Sequence, residues 1–231
     1  MLLAYLAYFA VIPIAVKKIE VLEHSIIIQK IVGQILSPNG LEQKGKTRTW
    51  QDDHGWFTIM VEFQPFKDRQ GTGLNVGVDF NWYIKDYPSY SLGGREQDLI
   101  VFINEKQFTG EITRLTQMAL EKVNLYRQAL TDLESSRQFI LKQEFKSENL
   151  WGSYHKGVIS GLTGDIQGML YYFNRLLSQD LSAPFEKELE ETVRTLRSKS
   201  NDLTLFRHII EGFIQESRRL KKIKPMEFKF I

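Results

Sequence analysis

Between Ile31 and Tyr83 a helix-like stretch ends in Ser37-Pro38-Asn39-Gly40 and gives way to alternating segments, and no other feature of the chain constrains its fold as strongly. Leu74, Val76, Val78, Phe80 and Trp82 take every second position, with Asn75, Gly77, Asp79, Asn81 and Tyr83 between them. A strand with that spacing has one apolar face and one largely polar face. Phe57, Ile59, Val61 and Phe63 alternate with Trp56, Thr58, Met60, Glu62 and Gln64 in the same way, and Lys44 to Trp50 makes a weaker strand candidate upstream. Asp52-Asp53-His54-Gly55 supplies the first reversal and Lys67 to Gly73 the second. The pattern predicts an antiparallel meander with its apolar face on a core and its polar face in solvent.

Downstream, Asp86 to Glu96 reads as a loop holding Gly93-Gly94, and Leu99 to Ile103 as a short buried strand. The period then changes. Ile112, Leu115, Ala119, Tyr126, Ala129, Leu133 and Ile140 predict one long amphipathic helix from about Glu111 to Gln143, with Thr109 as its N-cap. Trp151 to Asp180 gives two helical pieces meeting near Gly161 to Gly164, a third helix begins near Ser182 with Pro184 in its first turn, and a fourth runs from about Asp202. The tail around Met226, Phe228 and Phe230 alternates with charges and reads as a terminal strand. The expected class is α+β: a leading helix, an antiparallel meander of three to five strands, and a mostly helical C-terminal half. The expected organisation is an apolar segment over 1–18, helix plus sheet over 19–108, and helices over 109–231 that pack on the sheet as one continuous domain.

At 231 residues, 42% hydrophobic and 12% aromatic, the chain can bury a full core. The absence of cysteine excludes disulfides, thiolate metal sites and a cysteine nucleophile. Charge is balanced, with 10 basic against 11 acidic residues up to Asn104 and 20 against 17 beyond it, so nucleic acid is not an expected partner. Arg218, Arg219, Lys221, Lys222 and Lys224 read as the exposed cationic end of the last helix, where they complement its dipole.

Met1 to Val16 carries no charge and is followed by Lys17 and Lys18. A run this short, at ~1.5 Å per residue, falls below the ~30 Å of a bilayer core, and Pro13 weakens it further. The charges follow the apolar run instead of preceding it, which fits a secretory signal poorly. The segment is expected to be a docked terminus or an over-extended start, with a membrane anchor as the alternative. Either way the folded part is expected to be cytoplasmic, with membrane association only through that segment.

The helix end Leu36-Ser37-Pro38-Asn39-Gly40-Leu41, the run Lys44-Gly45-Lys46-Thr47 leading into a hairpin, the strand Leu74 to Phe80, and Trp151-Gly152-Ser153-Tyr154-His155-Lys156-Gly157 ahead of Gly161 to Asp165 together resemble an uncharacterised bacterial family of domains of unknown function. The resemblance spans about Ile26 to Leu177. It implies a leading helix, a few antiparallel strands and a helical remainder, and it implies no catalytic residue. Met1 to Val16 departs from the family pattern.

The chain lacks a G-x-x-x-x-G-K-[ST] phosphate loop, an H-E-x-x-H pair and a G-x-S-x-G elbow. Asp52, Asp53 and His54 have the residue types of a cation site but also those of a tight turn, which is the preferred reading. His24, His155 and His208 stand alone and read as surface or satisfied polar groups. Lys44, Lys46 and Arg48 beside Trp50 read as a charge-protected edge strand. The remaining constellation is the polar side of the meander: Glu62, Gln64, Asn75, Asp79 and Asn81, followed by Tyr87, Tyr90, Arg95 and Glu96. These nine are the candidate binding residues.

Two functions follow from that set. The favoured one is a non-enzymatic protein-binding or accessory module of the antitoxin or immunity kind, using tyrosines and arginine as interface anchors. The alternative is a hydrolase-like enzyme with Glu62 and Asp79 as facing carboxylates beside Arg95. No catalytic residue, metal ligand or cofactor is assigned, and the expected partner is a protein.

Overall fold

The computed structural model describes residues 14–227 and 230, with side chains from residue 23 onward. Most of Met1 to Val16 lies outside the described residues, and Ile14 to Val16 open the first helix. Among the described residues no helix is long and apolar enough to cross a membrane.

Helix α1 (Ile14–Leu36) places His24, Ile28, Val32 and Leu36 one turn apart on a single buried stripe. It ends where the sequence indicates, in a short 3-10 turn at Ser37–Asn39 closed by Gly40, whose φ of 86° favours glycine and whose N–H donates to the Ser37 carbonyl. The sheet follows in strict meander order: β1 (Glu42–Gln43), β2 (Thr49–Asp53), β3 (Phe57–Gln64), β4 (Gly71–Phe80) and β5 (Leu92–Val101), each antiparallel to the next. Val61 pairs with Val76, Ile59 with Val78 and Phe57 with Phe80, so the predicted apolar face is one surface of the sheet, and all six side chains are buried.

Three boundaries differ from the sequence reading. Lys44 to Arg48 is not a strand but the turn between β1 and β2, with Gly45 at φ 57° and Lys44 N–H donating to the Thr49 carbonyl, so the paired edge is Glu42–Gln43. Asp52 and Asp53 belong to β2, and the reversal is carried by His54 to Trp56. Gly93 and Gly94 lie within β5, because positive φ values at both let the strand bend while still pairing with Gly77 and Val76.

The predicted long helix is two. Helix α2 (Glu105–Ala129) is capped by Asn104, five positions before the expected Thr109; its Oδ1 accepts the Gln107 N–H at 2.9 Å. Asp132 then caps α3 (Leu133–Leu141) by accepting the Ser135 N–H at 2.8 Å. A π-helical turn (Glu148–Gly152) leads into α4 (Ser153–Leu162), α5 (Ile166–Leu177), α6 (Pro184–Ser198) and α7 (Leu203–Leu220). The hairpin at Gly161 to Gly164, Pro184 at the start of α6 and Asp202 as the cap of α7 all match the sequence reading. The tail over 223–227 is not a strand, and the rest of that expectation lies outside the described residues.

Helix α2 covers the apolar sheet face with the stripe Phe108, Ile112, Leu115, Ala119 and Val123, and α1 packs against α2. Every residue of α4 is buried. Gly157 and Gly161 lie one turn apart on it, and a Cβ on Gly161 would come 2.5 Å from the Phe206 ring; these glycines let α5 and α7 close onto α4. The buried apolar residues form a continuous cluster from Ile27 to Ile214, so sheet and helices share a core.

Candidate functional site

The alternation that makes β3 and β4 two-faced puts Thr58, Met60, Glu62, Gln64, Gly73, Asn75, Gly77 and Asp79 on one surface. That surface is not solvated as expected. Asn75 is 7% exposed, Asp79 1% and Asn81 0%. The segment 81–91 turns back over it, and the end of α7 reaches it from the other side. Gly77 makes this possible: a Cβ there would stand 2.7 Å from Tyr90 Cδ1, so the tyrosine ring lies flat against bare backbone.

The polar groups divide into two networks. In the first, Asn75 Nδ2 donates to Glu62 Oε2 at 2.7 Å and to Gln64 Oε1 at 3.2 Å, Tyr90 Oη donates to Glu62 Oε2 at 3.4 Å, and Arg95 donates to Gln64. Burial, and then the Glu62 carboxylate, push the Tyr90 phenol far above its ordinary range, so it stays a donor. In the second, Asp79 is the hub. Lys85 Nζ stands 2.7 Å from its Oδ1, Lys221 Nζ donates to its Oδ2 at 2.8 Å, and the Ser89 N–H donates to Oδ2 at 3.3 Å. Lys221 also donates to Asn81 Oδ1 at 2.9 Å, and Asn81 Nδ2 donates to the Gly55 carbonyl at 2.8 Å. Arg218 shares that carbonyl and grips Asp53 through both terminal nitrogens, at 2.5 and 2.8 Å.

The C-terminal cations therefore do not form a uniformly exposed helix end. Arg218 and Lys221 are 2% and 7% exposed, because β2 and β4 present carboxylates where α7 crosses them. Burial pulls the Lys221 ammonium down to about 8 against the upward pull of Asp79, with the Lys85 charge adding to the fall.

Beside this hub lies a cleft of about 280 Å³ between the segment 83–93 and the segment 144–155. Tyr83, Tyr87, Tyr90, Phe145 and Trp151 supply its aromatic walls, and Lys85, Ser89 and His155 its polar interior. The π-helical turn sets Trp151 at 6.1 Å from the His155 ring, nearly parallel to it. His155 is fixed from behind, where Trp82 Nε1 donates to its Nδ1 at 2.9 Å. An indole N–H can only donate, so Nδ1 holds the lone pair and the neutral ring carries its proton on Nε2. No hydrogen bond to Nε2 is found among the described residues, and the residue lines the cleft. Burial, helped by the charge of Lys85, brings His155 down to about 3, so the ring is a neutral donor at physiological pH.

The structure thus brings together Glu62, Gln64, Asn75, Tyr90 and Arg95, places Asp79 and Asn81 in the neighbouring network, leaves Tyr87 58% exposed on the cleft rim, and sends Glu96 to Lys122 of α2 at 3.2 Å. Glu62 and Asp79 do not face each other: Glu62 pairs with Asn75, Asp79 with Thr58, and neither lines the cleft. Asp52 pairs with Arg127 at 2.7 Å and with His54 at 2.9 Å; burial raises its carboxyl, and these two partners outweigh that and leave it lowered. No cluster among the described residues is suited to hold a metal.

No family model, curated protein or solved structure matches the chain. A functional reading rests on the site itself.

Sequence reasoning missed Lys85, Trp82 and His155 as site residues. His155 stands alone in the sequence, and only the fold brings Trp82 behind it. Trp151 is visible in the sequence as a bulky aromatic before a glycine, but it stands 61 positions after Tyr90 with no local partner to face.

Proposed function

We propose that this chain is a non-enzymatic binding protein that engages another protein through the aromatic cleft, in an accessory role of the antitoxin or immunity kind. The observation that carries this reading is the state of the ionisable groups around the cleft. Asp79 is held between two lysines, and His155 has its basic nitrogen occupied by Trp82. A general base needs a free lone pair near the reacting proton, and here Asp79 does not line the cleft while the Nδ1 lone pair of His155 is taken by Trp82. The rim has the residue types that anchor interfaces: Tyr87 projects into solvent, with Tyr83, Tyr90 and Trp151 behind it.

The experiment is site-specific photo-crosslinking in the native host with the reactive group at position 87, read by mass spectrometry. A discrete crosslinked protein that disappears when Trp151 is also replaced by alanine, with the thermal midpoint little changed, is the expected result. Crosslinks that do not depend on Trp151 would overturn the reading.

A further inference from the structure

The inference concerns what the cleft takes, and it rests on the reading of the cleft as the binding site. Asp79 carries one negative charge and has two ammonium groups against it, Lys85 at 2.7 Å and Lys221 at 2.8 Å. Their side chains are 7% and 2% exposed. Among the described residues neither lysine has another acidic partner within 4.0 Å. One carboxylate neutralises one ammonium, so the hub keeps a surplus positive charge in a poorly solvated place, where an unmatched ion is costly.

The two lysines differ in what they reach. Lys221 is enclosed between Asp79 and Asn81. Lys85 lies on the cleft wall, where it also donates to Ser89 Oγ at 2.5 Å. Across the same cleft stands the Nε2–H of His155, which Trp82 holds as a donor. Glu144 and Lys146 also line the cleft and contribute one charge of each sign. The interior therefore offers one cation and one neutral N–H donor between flat aromatic walls.

We propose that the cleft binds a singly charged carboxylate carried on a flat apolar body, with Lys85 as its counter-charge and His155 Nε2–H as its hydrogen-bond donor. The charge count selects the class. A carboxylate brings the hub to neutrality, whereas a phosphate dianion leaves a negative excess at low dielectric and a neutral amide leaves the ammonium unmatched. Lys85 is expendable to the fold, since Lys221 alone still neutralises Asp79.

The test is calorimetric titration of the full chain with benzoate, alongside benzamide and phenyl phosphate, and observation of the His155 Nε2–H resonance in histidine-labelled protein. Benzoate is expected to bind saturably and to move that resonance, with the amide and the phosphate weaker by about tenfold or more. Lys85→Gln is expected to stay folded and to lose benzoate affinity by about tenfold or more. The wild-type resonance shift stands as a readout whether or not the variant folds. Absence of benzoate binding at about 10 mM, phenyl phosphate binding as tightly as benzoate, or a folded Lys85→Gln that binds benzoate undiminished would each overturn the proposal.

Two peptides ending in phenylalanine, one with a free carboxylate and one amidated, separate the sources. A free-acid peptide that outbinds benzoate assigns the site to a partner's chain end, and one that binds more weakly assigns it to small free acids; both support the carboxylate. If benzoate fails while the crosslink from position 87 persists, the carboxylate proposal alone falls. If benzoate binds and the crosslink is absent, the protein-partner reading falls instead.

Discussion

Trp82 and His155, 73 positions apart, are joined by one hydrogen bond of 2.9 Å that fixes which imidazole nitrogen carries the proton. The bond ties the chain just past β4 to the buried helix α4, and Tyr154 adds a second tie by donating to the Trp82 carbonyl at 2.7 Å. A residue that reads as an isolated histidine is thereby one of the ties between the sheet and the helical half of the fold.

The first prediction concerns acid. His155 titrates at about 3 in the folded chain, against 6.5 when exposed. Between those values the unfolded chain takes up a proton that the folded chain refuses. Stability from this source is complete above pH 6.5 and falls as pH drops toward 3, by up to roughly 4 kcal/mol. Urea denaturation at several pH values should show the slope, and His155→Gln, whose amide oxygen can accept the Trp82 N–H without titrating, should remove it. An unchanged slope in that variant would place the acid sensitivity elsewhere.

The second prediction concerns the Asp79 hub. Removing either lysine leaves the carboxylate paired, so Lys85→Gln and Lys221→Gln should each cost about 1 kcal/mol or less. Removing both leaves a buried unpaired carboxylate, and the double variant should lose about 3 to 5 kcal/mol, well beyond the sum. Asp79→Asn, which strands two buried ammonium groups, should cost a similar amount. Additive losses in a denaturation cycle would show that the three groups do not act as one unit.

The same hub gives a slope at the alkaline end. Lys221 titrates at about 8 when folded and 10.5 when exposed, so the unfolded chain holds the extra proton between those values. Stability should therefore rise as pH increases from 8 toward 10.5. Lys221→Gln should abolish that rise in thermal or chemical melts.

A fourth prediction separates two adjacent arginines. Arg218 is buried and bonds both oxygens of Asp53, whereas Arg219 is mostly exposed and pairs with Glu216 on its own helix. Arg218→Gln should destabilise by about 3 to 5 kcal/mol by leaving Asp53 unmatched. Arg219→Gln should leave the midpoint nearly unchanged, since its pair with Glu216 is exposed and screened by water. Equal losses from the two would contradict the burial of Arg218.

The sheet and the helix order were legible because both rest on local periodicity. Leu74 to Phe80 alternates strictly, and its register with Phe57 to Phe63 follows from matching apolar faces. The break between α2 and α3 was legible only in part: the apolar stripe continues past Ala129, and the stop lies in the single N-cap Asp132. The burial of the polar face was not legible. Asn75, Asp79 and Asn81 have the spacing of a solvated surface, and what covers them comes from Tyr90 and Lys221, which no local pattern places there. The same holds for the cluster at the end of α7, since a basic helix terminus looks alike whether it meets water or a carboxylate. Of the candidate site, the tyrosines and the Glu62 network were visible as residues, while Lys85 and His155 became recognisable only through the partners that hold them.

The Asp53–Arg218 and Asp79–Lys221 pairs span 165 and 142 positions, almost the full distance from the sheet to the last helix. During synthesis Asp53 leaves the ribosome long before Arg218 exists and depends on water until then, whereas Asp79 has Lys85 six positions on and waits only for Lys221. Closing the molecule means swapping that water for α7 in a late step that carries a large loop-closure entropy. A chain stopped just short of Arg218 keeps every described strand and nearly all of every described helix, yet Asp53 lacks its arginine while Asp79 keeps only Lys85. The charge balance of the sheet thus waits on the synthesis of α7, the element farthest from it in the described sequence.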